Sequence, residues 1–134
     1  MFKDDFQIVK YKSEVIADST VVNDFIAIGH FNREMDGSTL IASQAADDLL
    51  NIKGVRASFV LTKSNDRIHI SGRSLGDISV QLILERIGGG GHLTSAATQL
   101  DMSIDEAEVM LKKAIKEYLE EEVEDYEDNT NWWC

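Results

Sequence analysis

The sequence predicts an α/β (α+β) fold: one mixed β-sheet of about four to five strands with helices packed on it. Three observations carry this. Apolar residues recur at helical spacing in several separated stretches, and short runs rich in β-branched and aromatic residues lie between them. One of those runs, "DFIAIGHFN" (24–32), is apolar on both faces, as a strand covered from both sides must be. Finally, 134 residues without a single proline, and so without a proline-rich linker, suit one domain with a real core.

The elements follow in order. "DDFQIVKYKSEVI" (4–16) sets Phe6, Val9 and Ile16 near helical spacing behind two acids that suit the positive end of a helix dipole, which predicts a leading helix. The 24–32 run is a central strand. Ser38 or Thr39 can cap a second helix whose stripe is Ile41, Ala45, Leu49 and Ile52, ending at Gly54. "VRASFVLT" (55–62) and "RIHIS" (67–71) flank the polar turn "KSND" (63–66) and predict an antiparallel hairpin. In its second strand Ile68 and Ile70 point one way; if the strand persists to 73, alternation puts Arg67, His69, Ser71 and Arg73 on the other face. A helix over about 76–87 follows, with Ile78, Leu82 and Ile87 on its stripe, Ser74 as its cap and Asp77 in its first turn. Four glycines, Gly88–Gly91, stop it. "SAATQLDM" (95–102) is a short strand. Ser103 and Glu106 form a capping box for the last helix, with a stripe through Ile104, Ala107, Leu111, Ala114, Ile115, Tyr118 and Leu119.

Composition narrows the function. Hydrophobic residues at 43% and charged residues at 28% are globular values. The net charge of −11 is concentrated: of 24 acids seven lie in "EEEVEDYED" (120–128), which leaves 17 against 13 Lys and Arg and a body near −4. Such a body does not wrap duplex nucleic acid, although a local cationic pocket for one nucleotide is compatible with it. The single cysteine, Cys134, excludes an intrachain disulfide and a cysteine metal cluster. The lone cysteine makes the chain read as intracellular; no apolar run approaches the ~18 residues of a membrane-crossing helix and the start lacks the layout of a signal peptide, so as given it reads as soluble. The final "DNTNWWC" ends in two tryptophans, a docked anchor or an appended end.

Two stretches point to chemistry. In "LERIGGGGHLTSAATQL" (84–100), side-chain-free residues let an anion approach backbone amides, and four in succession predict a nest of free N–H groups with His92 beside it. The run has no Walker spacing and follows a helix rather than a strand, which excludes P-loop and dinucleotide-fingerprint readings. In "ISGRSLGD" (70–77), Arg73 stands at a strand end before a helix N-terminus, a place suited to a phosphate or a purine edge. The helix between the two stretches separates its ends by roughly 16 Å at ~1.5 Å per residue, so a ligand touching both is a nucleotide or dinucleotide unless the loop folds back. His30, in an apolar strand, reads as a satisfied core histidine. His69, on the polar face of its strand, is a candidate to line the site. Three scattered histidines without paired carboxylates predict no metal site.

Taken together, "ISGRSLGDISVQLILERIGGGGHLTSAATQL" and "SQAADDLLNIKGVRASFVLTK" resemble the DHH-associated substrate-binding domain, the C-terminal lobe of DHH-family phosphoesterases, and within it the lobe of bacterial membrane-anchored cyclic-di-AMP phosphodiesterases. The resemblance covers roughly 20–119, preceded by a linker helix (1–19) and followed by an acidic tail (120–134). It implies that Gly88, Gly89, Gly90, Gly91 and His92 hold base and phosphate, and that Arg73 with Ser71 or Ser74 holds the phosphate or purine. It further implies a DHH lobe on the same polypeptide carrying two manganese ions, with cyclic di-AMP or the linear dinucleotide pApA as ligand, no duplex nucleic acid, and a cytoplasmic position on a membrane-anchored parent. The chain departs from the full pattern in having no Asp-His-His. It therefore reads as a binding lobe, catalytically silent alone, with no metal or cofactor of its own; Met1 and a short leader suit a lobe cut from a longer protein. Alternatives are the same lobe from an oligoribonuclease or 3′-phosphoadenosine phosphate phosphatase, a single-strand nucleic-acid-binding module, and a homodimerisation module.

Overall fold

The computed structural model describes the backbone of residues 2–131 and the side chains of 6–122; the tryptophan-bearing end at 132–134 lies outside the described residues. Element order is α1 (Phe2–Asp18), β1 (Thr20–Val22), β2 (Ile26–Phe31), α2 (Ser38–Leu49), β3 (Ala57–Ser64), β4 (Arg67–Ser74), α3 (Val80–Glu85), β5 (Gly90–His92), β6 (Ser95–Leu100) and α4 (Ile104–Asn131). One sheet runs β1-β2-β3-β4-β6-β5, with β2 and β3 parallel and every other pair antiparallel.

The sheet is mixed, as predicted, but has six strands rather than four to five. The two extra strands, β1 and β5, are three-residue edges, too short for an alternation to register, and β5 begins with two glycines. The predicted central strand and hairpin are present, and β4 persists to Ser74. Lys63 and Ser64 belong to β3, so the turn is only Asn65 and Asp66, both with positive φ, the two-residue geometry that matches strand twist.

Each face of the sheet has its own core. Ile28, Phe59, Leu61 and Ile70 face α3 and α4, where Ile83, Leu84, Leu111 and Ile115 meet them. Ala27, Phe31 and Val60 face the other way, toward Val15 of α1 and Ala42, Ala45, Ala46 and Leu49 of α2. Burying a side chain such as Leu49 contributes about 1.5–3 kcal/mol. Gly29 lets α1 lie close, since a Cβ there would come within 2.9 Å of Val15. His30 faces α4, half-buried and hydrogen-bonded to Glu108 rather than enclosed in apolar core.

Several helix details differ from expectation. In α1 the anchor is Val15, fully buried, whereas Phe6 and Val9 are exposed. The N-cap of α2 is Gly37, in a left-handed conformation without a side-chain cap; Ser38 is already in the first turn and buried. Ile52 lies beyond the end of α2 and is exposed. Helix α3 is six residues, not twelve, a rise of about 9 Å. Its cap is Ser79, whose hydroxyl accepts from Leu82 N–H at 3.1 Å, not Ser74. The chain before it bends at 76–78, with Gly76 at φ 115°, and is held there by the pairing of Asp77 with Arg56 and by Ser79 N–H donating to the Tyr118 hydroxyl. Leu82 faces solvent while Ile83 and Leu84 take the core positions. The capping box of α4 is present: Ser103 Oγ accepts from Glu106 N–H and bonds its carboxylate. That helix runs unbroken through residue 120. Among the described residues no helix is long and apolar enough to cross a membrane.

Candidate functional site

The four glycines have four different situations. Gly88, with φ +87°, is the left-handed residue that ends α3; its N–H donates to Glu85 C=O at 3.3 Å and that of Gly89 to Leu84 C=O at 2.8 Å. Two of the four amides predicted to be free for an anion are therefore spent on the helix end. Gly89 is pressed against β6, where a Cβ would lie 2.4 Å from the Ala97 carbonyl oxygen. Gly91 combines φ +146° with a Cβ position 2.6 Å from the Ser95 carbonyl oxygen. Gly90 alone has an ordinary φ and nothing within 4 Å of where a Cβ would be. Backbone geometry demands a glycine at the other three positions and not at this one.

The glycine stretch does fold back. His92 pairs with Ser95 across β5 and β6, and Ser95 pairs with Arg73 across β6 and β4. Ser74 N–H donates to Thr94 C=O at 3.0 Å and Val80 N–H to Leu93 C=O at 3.1 Å, which fastens the two sequence stretches together. Residues paired directly across strands share a face, so His92, Ser95 and Arg73 form one row, and Gly90, Ala97 and Ser71 the next. Gln99 and His69 form a third row, on the same side as the α2 core. Two strand spacings put the backbones of His92 and Arg73 about 10 Å apart. Helix α2 covers β2, β3 and the near side of β4; exposed Gln99 and His92 lie beyond it.

The predicted site residues thus lie close together on β4, β5 and the loop before it, but Ser74 alternates with Arg73 onto the α3–α4 face beside Ala57, and access differs among the rest. Arg73 is held by Asp47 of α2 at 3.0 Å and donates to its neighbour's carbonyl, Gly72 C=O, at 2.8 Å. His92 is exposed. Ser71 and Ser74 are 1% and 5% exposed, and the Ser74 hydroxyl donates to Leu93 C=O. Neither hydroxyl reaches a ligand unless an existing bond is exchanged.

Ser71 belongs to a chain with a fixed direction. Ser43 Oγ donates its only proton to Thr39 C=O at 2.9 Å, so toward Ser71 Oγ, 3.0 Å away, it must accept. Ser71 has then spent its own proton and accepts from His69 Nε2–H at 2.9 Å. His69 is therefore the Nε2–H tautomer, and its buried Nδ1 has no hydrogen-bond partner among the described residues. Burial first, and the Arg73 charge second, hold its pKa below the ordinary histidine value.

Sequence reasoning missed Gln99 and Ala97, which the alternation of "SAATQL" marks once its inward residues are known. It also missed Ser43 and Asp47, which only the docking of α2 brings to β4. A hollow of about 420 Å³ lies alongside, between Gly88, Gly89 and Gly90 on one side and Arg67, His69 and Gln99 on the other; Arg73, His92, Ser71 and Ser74 do not line it. A larger cleft of about 510 Å³ lies elsewhere, under the β2–α2 loop, but Glu34, Asp36 and Asp66 line it and its Lys63 is paired with Glu34, so its field opposes a phosphate. Among the described residues no three His, Cys, Asp or Glu side chains are grouped to hold a metal ion.

The DHHA1 domain family matches residues 19–121. The cyclic-di-AMP phosphodiesterase PdeA of Listeria monocytogenes is 46% identical over 118 residues, 87% of this chain and 18% of that protein. The cyclic-di-AMP phosphodiesterase GdpP of Geobacillus thermodenitrificans is 55% identical over 97 residues, 71% of this chain and 14% of that protein. The chain thus spans less than a fifth of the length of these relatives. In fold it is similar to the crystal structure of an exopolyphosphatase-related protein from Bacteroides fragilis, at a TM-score of 0.73 and 23% identity, covering 83% of this chain and 34% of that one. With the family match running from the last residue of the α1–β1 connection into α4, across the whole sheet and its glycine stretch, the chain belongs to the DHHA1 domain family.

Proposed function

We propose that this chain is the nucleotide-holding lobe of a cyclic-di-AMP phosphodiesterase, gripping cyclic di-AMP while a DHH lobe of the same polypeptide hydrolyses it to pApA. The observation that carries the reading is Gly90. Its bareness is not required by backbone geometry, and it faces the open side of the sheet in the row between His92 and His69. A bare backbone there admits a ligand to the surface beside the row that carries an exposed imidazole and a guanidinium, both able to donate to phosphate oxygens. Asp47 orients Arg73 and partly offsets its charge, which suits a diester of one negative charge better than a polyanion. Two manganese ions, when bound, would be held by the DHH lobe and would supply Lewis-acid activation of water there; on this lobe Arg73, His92 and the glycine stretch bind and orient. In the parent, anchored in the bacterial membrane, this lobe lies on the cytoplasmic side.

Calorimetric titration of the folded chain with cyclic di-AMP and pApA tests the reading. Binding is expected, weakened at least tenfold by Arg73→Ala or His92→Ala, about the loss of one charged hydrogen bond. Absence of binding at millimolar ligand, or both variants binding as the parent does, overturns it. Tighter binding of short oligoribonucleotides or of 3′-phosphoadenosine phosphate would transfer the lobe to that substrate class.

A further inference from the structure

We propose that the far end of the open face, at Arg67, Ala97 and Gln99, is a second subsite that takes a heterocyclic base, so that the lobe reads two nucleotides rather than one. The proposal rests on the function proposed above. Its first support is position. Ser95, in the row of Arg73 and His92, and Gln99 are four residues apart on one strand, roughly 13 Å at ~3.3 Å per residue. The first row does not line the hollow, so a nucleotide seated there leaves the hollow at Arg67, His69, Ala97 and Gln99 unfilled.

The second support is the fixed orientation of Gln99. Arg67 donates through Nη1 to Gln99 Oε1 at 3.0 Å, through Nη2 to Gln99 C=O at 3.3 Å and through Nε to Asp101 Oδ1 at 2.8 Å. A guanidinium has no acceptor, so the amide must turn its oxygen to Arg67. Its NH₂ group then points away, with two donors for which no partner is found among the described residues. These donors match ring-nitrogen acceptors on a purine edge.

Charge and shape then separate a base from a second phosphate. The Arg67 charge is matched by Asp101 at 2.8 Å, and His69 is kept neutral by burial and by Arg73. This end of the hollow is therefore close to electroneutral, a poor place for an anion. Its floor is Ala97 beside Gly90, with no side chain beyond one Cβ, so a planar ring can lie flat on the strands.

Two ligands differing by one nucleotide, AMP and pApA, test the subsite by calorimetry on the whole chain and on two variants, Gln99→Leu and Ala97→Val. The parent chain is expected to bind pApA about tenfold tighter than AMP. Gln99→Leu, at an exposed position, should remove most of that difference and leave AMP affinity unchanged; Ala97→Val, which raises the floor beside Gly90, should weaken pApA more than AMP and so lower the same ratio. Equal affinities of the parent chain for both ligands, or an unchanged ratio in both variants, overturns the second subsite and leaves the nucleotide-holding role intact. A folded chain that binds neither ligand at millimolar concentration overturns both readings. Circular dichroism melts of the variants confirm that affinities are compared between folded proteins.

Discussion

One face of the sheet is built twice, in two ways. Where β2 and β3 lie under α2, Ala27, Phe31 and Val60 are at most 2% exposed and pack on Ala42, Ala45, Ala46 and Leu49. Even the polar groups there are closed off: Ser58 donates to Ala46 C=O at 2.6 Å and Thr62 to Phe31 C=O at 2.9 Å. Where β6 and β5 continue the same face, Ser95, Ala97, Gln99, Gly90 and His92 are partly or fully exposed. The ladder is similar on both sides and the difference is the lid. Stability comes from the half whose shape is filled, and recognition from the half the fold leaves unfilled.

Substitutions break that contrast in graded steps. The largest effect is expected from Leu49→Ala in the closed half, a loss of about 2–5 kcal/mol in urea unfolding. A loss under ~1 kcal/mol would mean that α2 is not packed as described. A step smaller, and sharper, is the pair Gly89→Ala and Gly90→Ala. The first drives a methyl into the Ala97 carbonyl and should cost about 1–3 kcal/mol. The second meets nothing and should leave stability within ~0.5 kcal/mol while weakening nucleotide binding. If Gly90→Ala binds normally, the open half is not where the ligand approaches the backbone.

The smallest effect is a slope with pH. The folded state holds the His69 pKa below 6.5, chiefly by burial, so as pH falls below 6.5 the unfolded chain takes up a proton that the folded chain refuses. Stability contributed by this residue is complete above that pH and is lost on acidification, until the pH reaches the lowered folded value. His69→Gln should flatten that part of the stability–pH curve just below pH 6.5, measured by chemical denaturation; an unaltered slope would contradict the buried neutral ring.

Much of the closed half was legible in the sequence. The run at 24–32 is apolar on both sides because helices cover both sides, and the hairpin and α4 are long enough for their periods to register. Alternation along β4 also placed Arg67, His69, Ser71 and Arg73 on one face correctly. The open half was less legible because its features depend on partners distant in sequence. Ser71 is consumed by Ser43, 28 residues earlier, and Ser74 by Leu93, 19 residues later. Helix α3 starts late because of Tyr118, 39 residues on. The glycine run looks uniform as a string, but one position ends a helix, two allow a close backbone approach, and one faces open space.

The tight β3–β4 connection, Asn65 and Asp66 with φ of 53° and 63°, has a consequence for the whole open half. Because side chains alternate with period two, this link sets the phase of β4 against β3, and with it which surface receives the guanidiniums and imidazole and which receives Ile68 and Ile70. A single residue inserted there would exchange the two sets, burying cations against α4 and turning isoleucines toward solvent. The chemistry of a surface roughly 20 Å long is thereby hinged on a loop of two residues, neither of which lines its hollow.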